Sequence, residues 1–113
     1  MFDLDLVTGE AYCSPRYFEM LGYAADELPS SLATWRQLLH PDDRPAAEAA
    51  IARFAESGTD THQIEFRLRT KAGGWRWIFS HGRIVARDAA GRRLRLIGTH
   101  IDITDRKLAE QAL

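Results

Sequence analysis

The feature that most constrains this chain is a change of hydrophobic period at Thr61. Before it, apolar residues recur at helical spacing. After it, Ile64, Phe66 and Leu68 alternate with Glu65, Arg67 and Arg69, the pattern of a strand with one wet and one dry face. Lys71-Ala72-Gly73-Gly74 reads as a hairpin loop, Trp75 to Arg87 as a second strand, Asp88 to Gly91 as another turn, and Arg93 to Ile103 as a third strand. Three long strands in succession form an antiparallel meander. The first sixty residues hold two short strands (Phe2 to Leu6 and Ala11 to Cys13) and then brief helical segments. Strands, helices, then strands is an α+β order, not a parallel βαβ repeat.

The helical segments carry their own punctuation. Ser14-Pro15 reads as a hydroxyl cap with proline at the first helical position, and Gly22 as the stop. Ala25 to Leu28 forms one further turn. Leu32, Trp35, Leu38 and Leu39 share a helix face. His40-Pro41-Asp42-Asp43 pairs a histidine with two carboxylates, but adjacent helical residues diverge by about 100° and cannot converge on one substrate atom. Pro41 is expected at the first helical position, with Asp42 and Asp43 capping and facing the positive end of the helix that continues through Ala47, Ala50, Ile51 and Phe54 to Gly58.

At 113 residues the chain is expected to form one domain. Its single cysteine, Cys13, excludes an internal disulfide, and His40, His62, His81 and His100 show no metal-ligand spacing. No apolar run reaches the roughly 18 residues of a membrane span, and Asp3 and Asp5 stand where a secretory signal would be basic and then apolar. The expectation is a reduced, cytoplasmic domain without direct membrane insertion. The formal charge of −1 hides an uneven distribution: residues 1–61 carry net −7, residues 62–96 net +7 and residues 97–113 net −1. Trp75, Trp77 and Phe79 interleave with Arg67, Arg69 and Arg76, which could stack bases and hold phosphate. The basic residues alternate with apolar ones as the wet side of strands does, and no nucleic-acid partner is expected. No nucleophile–base pair or phosphate loop points to catalysis, so no enzyme activity is expected.

Strand parity sorts the sheet residues. Ile64, Phe66, Leu68, Ile78, Ser80, Leu96, Gly98 and His100 fall on one face, which the helices are expected to cover. Trp75, Trp77, Phe79, Ile97 and Ile101 fall on the other and leave an apolar patch of the kind that serves partners. On the covered face, Ser80 and His100 are candidates to read a ligand in a pocket walled by Ile51, Phe54, Phe66, Leu68, Ile78 and Leu96. The alternative is a core histidine satisfied by a backbone carbonyl.

Four stretches then carry a resemblance: Tyr17-Phe18-Glu19-Met20-Leu21-Gly22-Tyr23 with Asp26-Glu27-Leu28; Trp35 with His40-Pro41-Asp42-Asp43; Arg69-Thr70-Lys71-Ala72-Gly73-Gly74-Trp75-Arg76-Trp77; and Gly98-Thr99-His100-Ile101-Asp102-Ile103-Thr104-Asp105-Arg106-Lys107. In this order the chain resembles a PAS domain with its C-terminal PAC segment, over essentially its whole length. The resemblance implies a five-stranded antiparallel sheet with short helices over one face and a small pocket between them. It also implies the input module of a bacterial-type signalling protein, such as a two-component histidine kinase or a diguanylate cyclase. Residues 1–104 would be the sensor, and residues 105–113 the start of a linker helix to an effector domain of the same polypeptide. Blue-light members bond flavin through an Asn-Cys pair in the helical region, where this chain reads His40-Pro41-Asp42-Asp43-Arg44-Pro45. Haem-binding members place a histidine in the long helix, where residues 45–57 have none. Covalent flavin and haem are therefore disfavoured, and the cofactor is left unassigned.

Asp102 and Thr104 are candidate relay residues between the last strand and the linker helix. A start inside one strand and an end inside a helix suggest an excised fragment. The leading expectation is a sensor that binds a small ligand and signals through a homodimer formed on the Trp77–Phe79 patch. The alternative is a dimerisation module whose filled core holds no ligand.

Overall fold

The computed structural model describes residues 1–112. Nine elements follow one another: β1 (Phe2–Asp5), β2 (Ala11–Cys13), α1 (Pro15–Glu19), α2 (Leu32–Leu38), α3 (Arg44–Ser57), β3 (Thr61–Arg69), β4 (Trp75–Arg87), β5 (Arg93–Asp102) and α4 (Thr104–Gln111). All strand pairs are antiparallel, and the sheet order is β2-β1-β5-β4-β3. The expected α+β architecture is therefore observed, with the meander closed on its far side by the opening hairpin. Ala25–Glu27 forms a hydrogen-bonded turn rather than a helix.

Register fixes which side chains meet. Ile64 opposes Ser80, and Ser80 opposes His100. One step along, His62 opposes Gly82, Gly82 opposes Gly98, and Gly98 opposes Phe2. Direct cross-strand partners share a face, so these rows tile the side of the sheet that α1 to α3 cover. The interior beneath those helices has two halves. At the Phe66 end, Leu21, Trp35, Leu38, Leu39, Ala47, Phe66, Leu68 and Ile78 form a packed core. Under the C-terminal half of α3 the packing is looser: Ala47 is the only fully buried residue of that helix, and Ile51 and Phe54 are half-buried.

The start of α3 corrects one expectation. The helix begins at Arg44 with Pro45 in its first turn, while Pro41, Asp42 and Asp43 form the preceding turn. Asp43 makes no side-chain cap. Its carboxylate instead accepts from the Arg67 backbone N–H at 2.7 Å, from Arg67 Nε at 2.9 Å and from Nη2 at 2.9 Å. Burial alone would push this carboxyl up, but the Arg67 hydrogen bonds outweigh it and hold Asp43 below its ordinary range. A bidentate charged pair across two elements satisfies more donors than a cap does. The pair ties the head of α3 to β3. Asp43→Ala is expected to cost roughly 1.5–3 kcal/mol, because it strands a half-buried guanidinium and a backbone N–H. A fall in the urea midpoint at unchanged slope checks this.

The far end of α3 is held differently. Gly58 closes the helix in the left-handed conformation, at φ 72°. Arg93 donates to the carbonyls of Phe54 and of Thr59, with its guanidinium 4.3 Å from the Phe54 ring centroid. Arg87 donates to Gly58 O at 3.2 Å and to Asp60 Oδ1 at 2.7 Å. The long helix is thus fastened at both ends and sparsely packed between them.

Candidate functional site

The space left under α3 is a cavity of about 580 Å³. Its size lies within the range of small-molecule sites, roughly 300–1,000 Å³. Ile51, Phe54, Phe66, Ser80, Leu96 and His100, all candidates from sequence, line it. Leu68 and Ile78 do not: they lie in the packed core beside Phe66. The wall also includes residues that sequence reasoning did not assign to it, notably Phe2, Cys13, Tyr17, Trp35 and His62.

Two glycines set where two of the lining rings lie. Gly82 and Gly98 are direct cross-strand partners at the middle of the covered face, and neither projects a side chain. A Cβ on Gly98 would fall 2.7 Å from Phe2 Cε1, and one on Gly82 would fall 3.0 Å from the His62 ring. The two rings therefore lie over bare backbone on the covered face, Phe2 reaching in from β1 and His62 from β3, as strand glycines allow.

His100 is the polar centre of this wall. It is 9% exposed. Its ring stacks on Tyr17 at 4.4 Å between centroids, with Phe2 at 5.3 Å and Phe66 at 5.5 Å edge-on. Its Nδ1 is buried and has no hydrogen-bond partner among the described residues. Burial, with a smaller contribution from the N-terminal ammonium and His62, lowers its pKa from 6.5 to about 3, so the ring is neutral at physiological pH. Three neighbouring groups shift towards their uncharged forms for the same leading reason. Burial pushes the Tyr17 phenol and the Cys13 thiol up, and lowers the His62 imidazole. Neither histidine nor cysteine occurs in α3, so that helix offers no ligand for haem iron and no thiol for a flavin.

On the opposite face, Trp75 is 39% exposed and rests against His40, with ring centroids 4.3 Å apart. Trp77 is half-buried between the Arg67 guanidinium at 4.9 Å and the Lys107 ammonium at 5.0 Å from its ring centroid. Phe79 and Ile97 are half-buried, and Ile101 is 50% exposed.

The family model of the PAS fold matches residues 10–100. This chain belongs to the PAS-fold family. The domain is 38% identical to a sensory box histidine kinase/response regulator from Burkholderia thailandensis, with a TM-score of 0.81, covering 98% of this chain and 81% of that one. It superimposes equally well, at a TM-score of 0.81 and 25% identity, on the N-terminal domain of a diguanylate cyclase with PAS/PAC sensor from Marinobacter aquaeolei, covering 94% of this chain and 95% of that one. Among curated proteins it is 34% identical over 112 residues to the sensor protein FixL of Bradyrhizobium diazoefficiens, which takes in 99% of this chain and 22% of FixL. The PAS domain thus spans about a fifth of that relative's length. It is a PAS sensor module related to those of histidine kinases and diguanylate cyclases. No described helix is long and apolar enough to cross a membrane.

The end of β5 leads from the cavity to α4. Ile103 N donates to Trp77 O at 2.8 Å, continuing the β4–β5 ladder past Asp102. Thr104 Oγ1 accepts from Trp77 N at 2.9 Å and donates to Asp102 Oδ1 at 2.6 Å, while Thr104 N donates to the same carboxylate oxygen at 2.9 Å. Glu65 of β3 accepts from Arg106 Nη2 at 2.8 Å and pairs with Lys107. The first turn of α4 is therefore clamped to β4 by one threonine and one aspartate, two residues after His100.

Proposed function

We propose that this PAS domain is a non-catalytic sensory module that takes a small molecule into the cavity beside His100 and relays occupancy along β5 to α4. The observation that carries this reading is continuity. His100, with its unpartnered Nδ1, sits on the same strand as the Asp102–Thr104 clamp, two residues away. A ligand that contacts His100 acts on a strand whose end fixes the orientation of α4. The effector is a domain of the same polypeptide, of the histidine kinase or diguanylate cyclase type, as in the relatives.

The test is a fusion of the domain to a histidine kinase output. Asp102→Ala removes the acceptor shared by Thr104 N and Oγ1 and is expected to abolish ligand-dependent regulation while costing only about 1 kcal/mol of stability. Unchanged regulation in a folded Asp102→Ala fusion overturns the relay. Native mass spectrometry of the purified domain reads any co-purified occupant directly.

The reading includes a homodimer formed through the outer sheet face, with Ile101, Phe79 and Ile97 at its centre and Trp75 and Trp77 at its margin. Half-exposed Ile101 is the group whose burial a second copy would gain most from. Ile101→Glu is expected to give a monomer by light scattering; a dimer that persists places the contact elsewhere.

A further inference from the structure

The chemistry of the cavity wall specifies what it admits, and this step rests on the ligand-binding reading above. We infer that the cavity takes an uncharged, planar, largely apolar molecule of two or three rings that presents one neutral hydrogen-bonding group to Ser80 and His100.

Three features of the site lead there. The first is shape. Aromatic rings from four elements line the cavity: Phe2 of β1, Tyr17 of α1, Trp35 of α2 and Phe54 of α3. Such walls favour a flat π-system in offset or edge contact. The second is the placement of polar groups. Ser80 and His100 are directly opposed across β4 and β5, so their side chains stand about 5 Å apart and offer a two-point contact. Because Nδ1 is sealed and unpartnered, the imidazole's bonding to an occupant falls to Nε2. A buried N–H with no acceptor costs more than an unfilled lone pair, which favours the tautomer carrying its hydrogen on Nε2. His100 is then a donor and the Ser80 hydroxyl a donor or acceptor, a pair suited to a phenol, a ketone or an amide.

The third is charge. Every ionisable group deep in the wall (Cys13, Tyr17, His62 and His100) is shifted towards its neutral form, with burial the leading cause. Deep in the cavity the charge that acts at His100 is the N-terminal ammonium, itself pushed towards its neutral form by burial, and an ionised ligand suffers the same desolvation. The cations that reach the lining gather at the α3 C-terminal end. There Arg87 and Arg93 are already engaged by the Gly58, Phe54 and Thr59 carbonyls and by Asp60, Arg92 stands 3.9 Å from Asp88, and Glu56 adds an opposing charge.

Three probes of one shape separate these points: 2-naphthol, uncharged at neutral pH; naphthalene, with no polar group; and 2-naphthoate, an anion. Thermal shift and calorimetric titration of the domain at pH 7 are expected to rank naphthol first, naphthalene roughly five- to a hundredfold weaker for want of both hydrogen bonds, and naphthoate without measurable binding. His100→Phe and Ser80→Ala, each checked for folding by circular dichroism, are each expected to remove part of naphthol's advantage over naphthalene, and the double variant to remove all of it. Naphthoate binding as tightly as naphthol overturns the assignment of charge and leaves the ligand site standing. Naphthalene matching naphthol, or naphthol unaffected by both substitutions, overturns the two-point contact. Failure of all three probes to bind overturns this inference, and a purified domain that also carries no occupant by native mass spectrometry overturns the ligand-binding reading with it.

Discussion

Between about pH 7.5 and pH 5 the domain is expected to lose about 2 kcal/mol of stability through His100 alone, and His100→Phe to remove that loss. The folded-state pKa of about 3 lies below the ordinary 6.5 because burial disfavours the imidazolium. As pH falls, the unfolded chain takes up the proton first. The stability that depends on neutral His100 is complete above about 6.5 and drains away as pH falls towards about 3. His62 is shifted in the same direction and adds to the slope, so the variant retains a residual dependence. Asp3, Glu27, Asp43, Asp60 and Glu65 are held low by their Arg and Lys partners and lose their contribution only in more acid solution. At pH 7.5 His100→Phe is expected to be no less stable than the wild type. It keeps a ring against Tyr17, Phe2 and Phe66 and removes the unpartnered Nδ1. Urea titrations of both proteins across this range check it. Parallel pH profiles would place the proton uptake at another group.

Gly98→Ala is expected to be the more damaging substitution, costing about 3 kcal/mol or more. A Cβ there would lie inside 3.0 Å of the His81 carbonyl oxygen and of the Phe2 ring, and backbone cannot move aside as a flexible side chain does. Phe2 would be driven off the sheet, and with it one wall of the cavity and the edge contact to His100. Gly82→Ala meets only the His62 ring at 3.0 Å and Leu96 Cδ1 at 3.1 Å, so a smaller loss is expected. Gly74→Ala, with Thr70 Oγ1 at 3.6 Å as its nearest neighbour, should stay within about 0.5 kcal/mol. Melting temperatures of the three variants give the order directly. A Gly98→Ala protein as stable as Gly74→Ala would mean that Phe2 does not occupy this position.

Strand parity carried most of the fold. The alternation of Phe66 and Leu68 with Arg67 and Arg69 assigns the covered and open faces without reference to any other element, because side chains in a strand must alternate. The same periodicity brought Ile64, Ser80, Leu96 and His100 to one surface, as observed. Parity does not say where along that surface packing ends and empty space begins. Leu68 and Ile78 share the face with His100 but lie under Trp35, Leu38 and Leu39, whereas the cavity opens beside Ser80 and His100 under the sparsely packed C-terminal half of α3. Gly82 and Gly98 were visible in sequence; their being opposite one another depends on a register that the β4–β5 turn sets. Phe2, Cys13 and Tyr17 reach the site from β1, β2 and α1, through long-range pairing of β1 with β5. Local spacing points to Asp43 as a helix cap. The three donors of Arg67, 24 residues away, outcompete the cap.

Methyl resonances offer the most direct view of where an occupant goes. With 2-naphthol added to the isotopically labelled domain, the methyls of Ile51, Ile64 and Leu96 are expected to shift, while those of Val85 and Ile101 on the outer face stay in place. Shifts confined to Val85 and Ile101 would contradict a cavity beneath α3 and put the binding surface on the opposite side of the sheet.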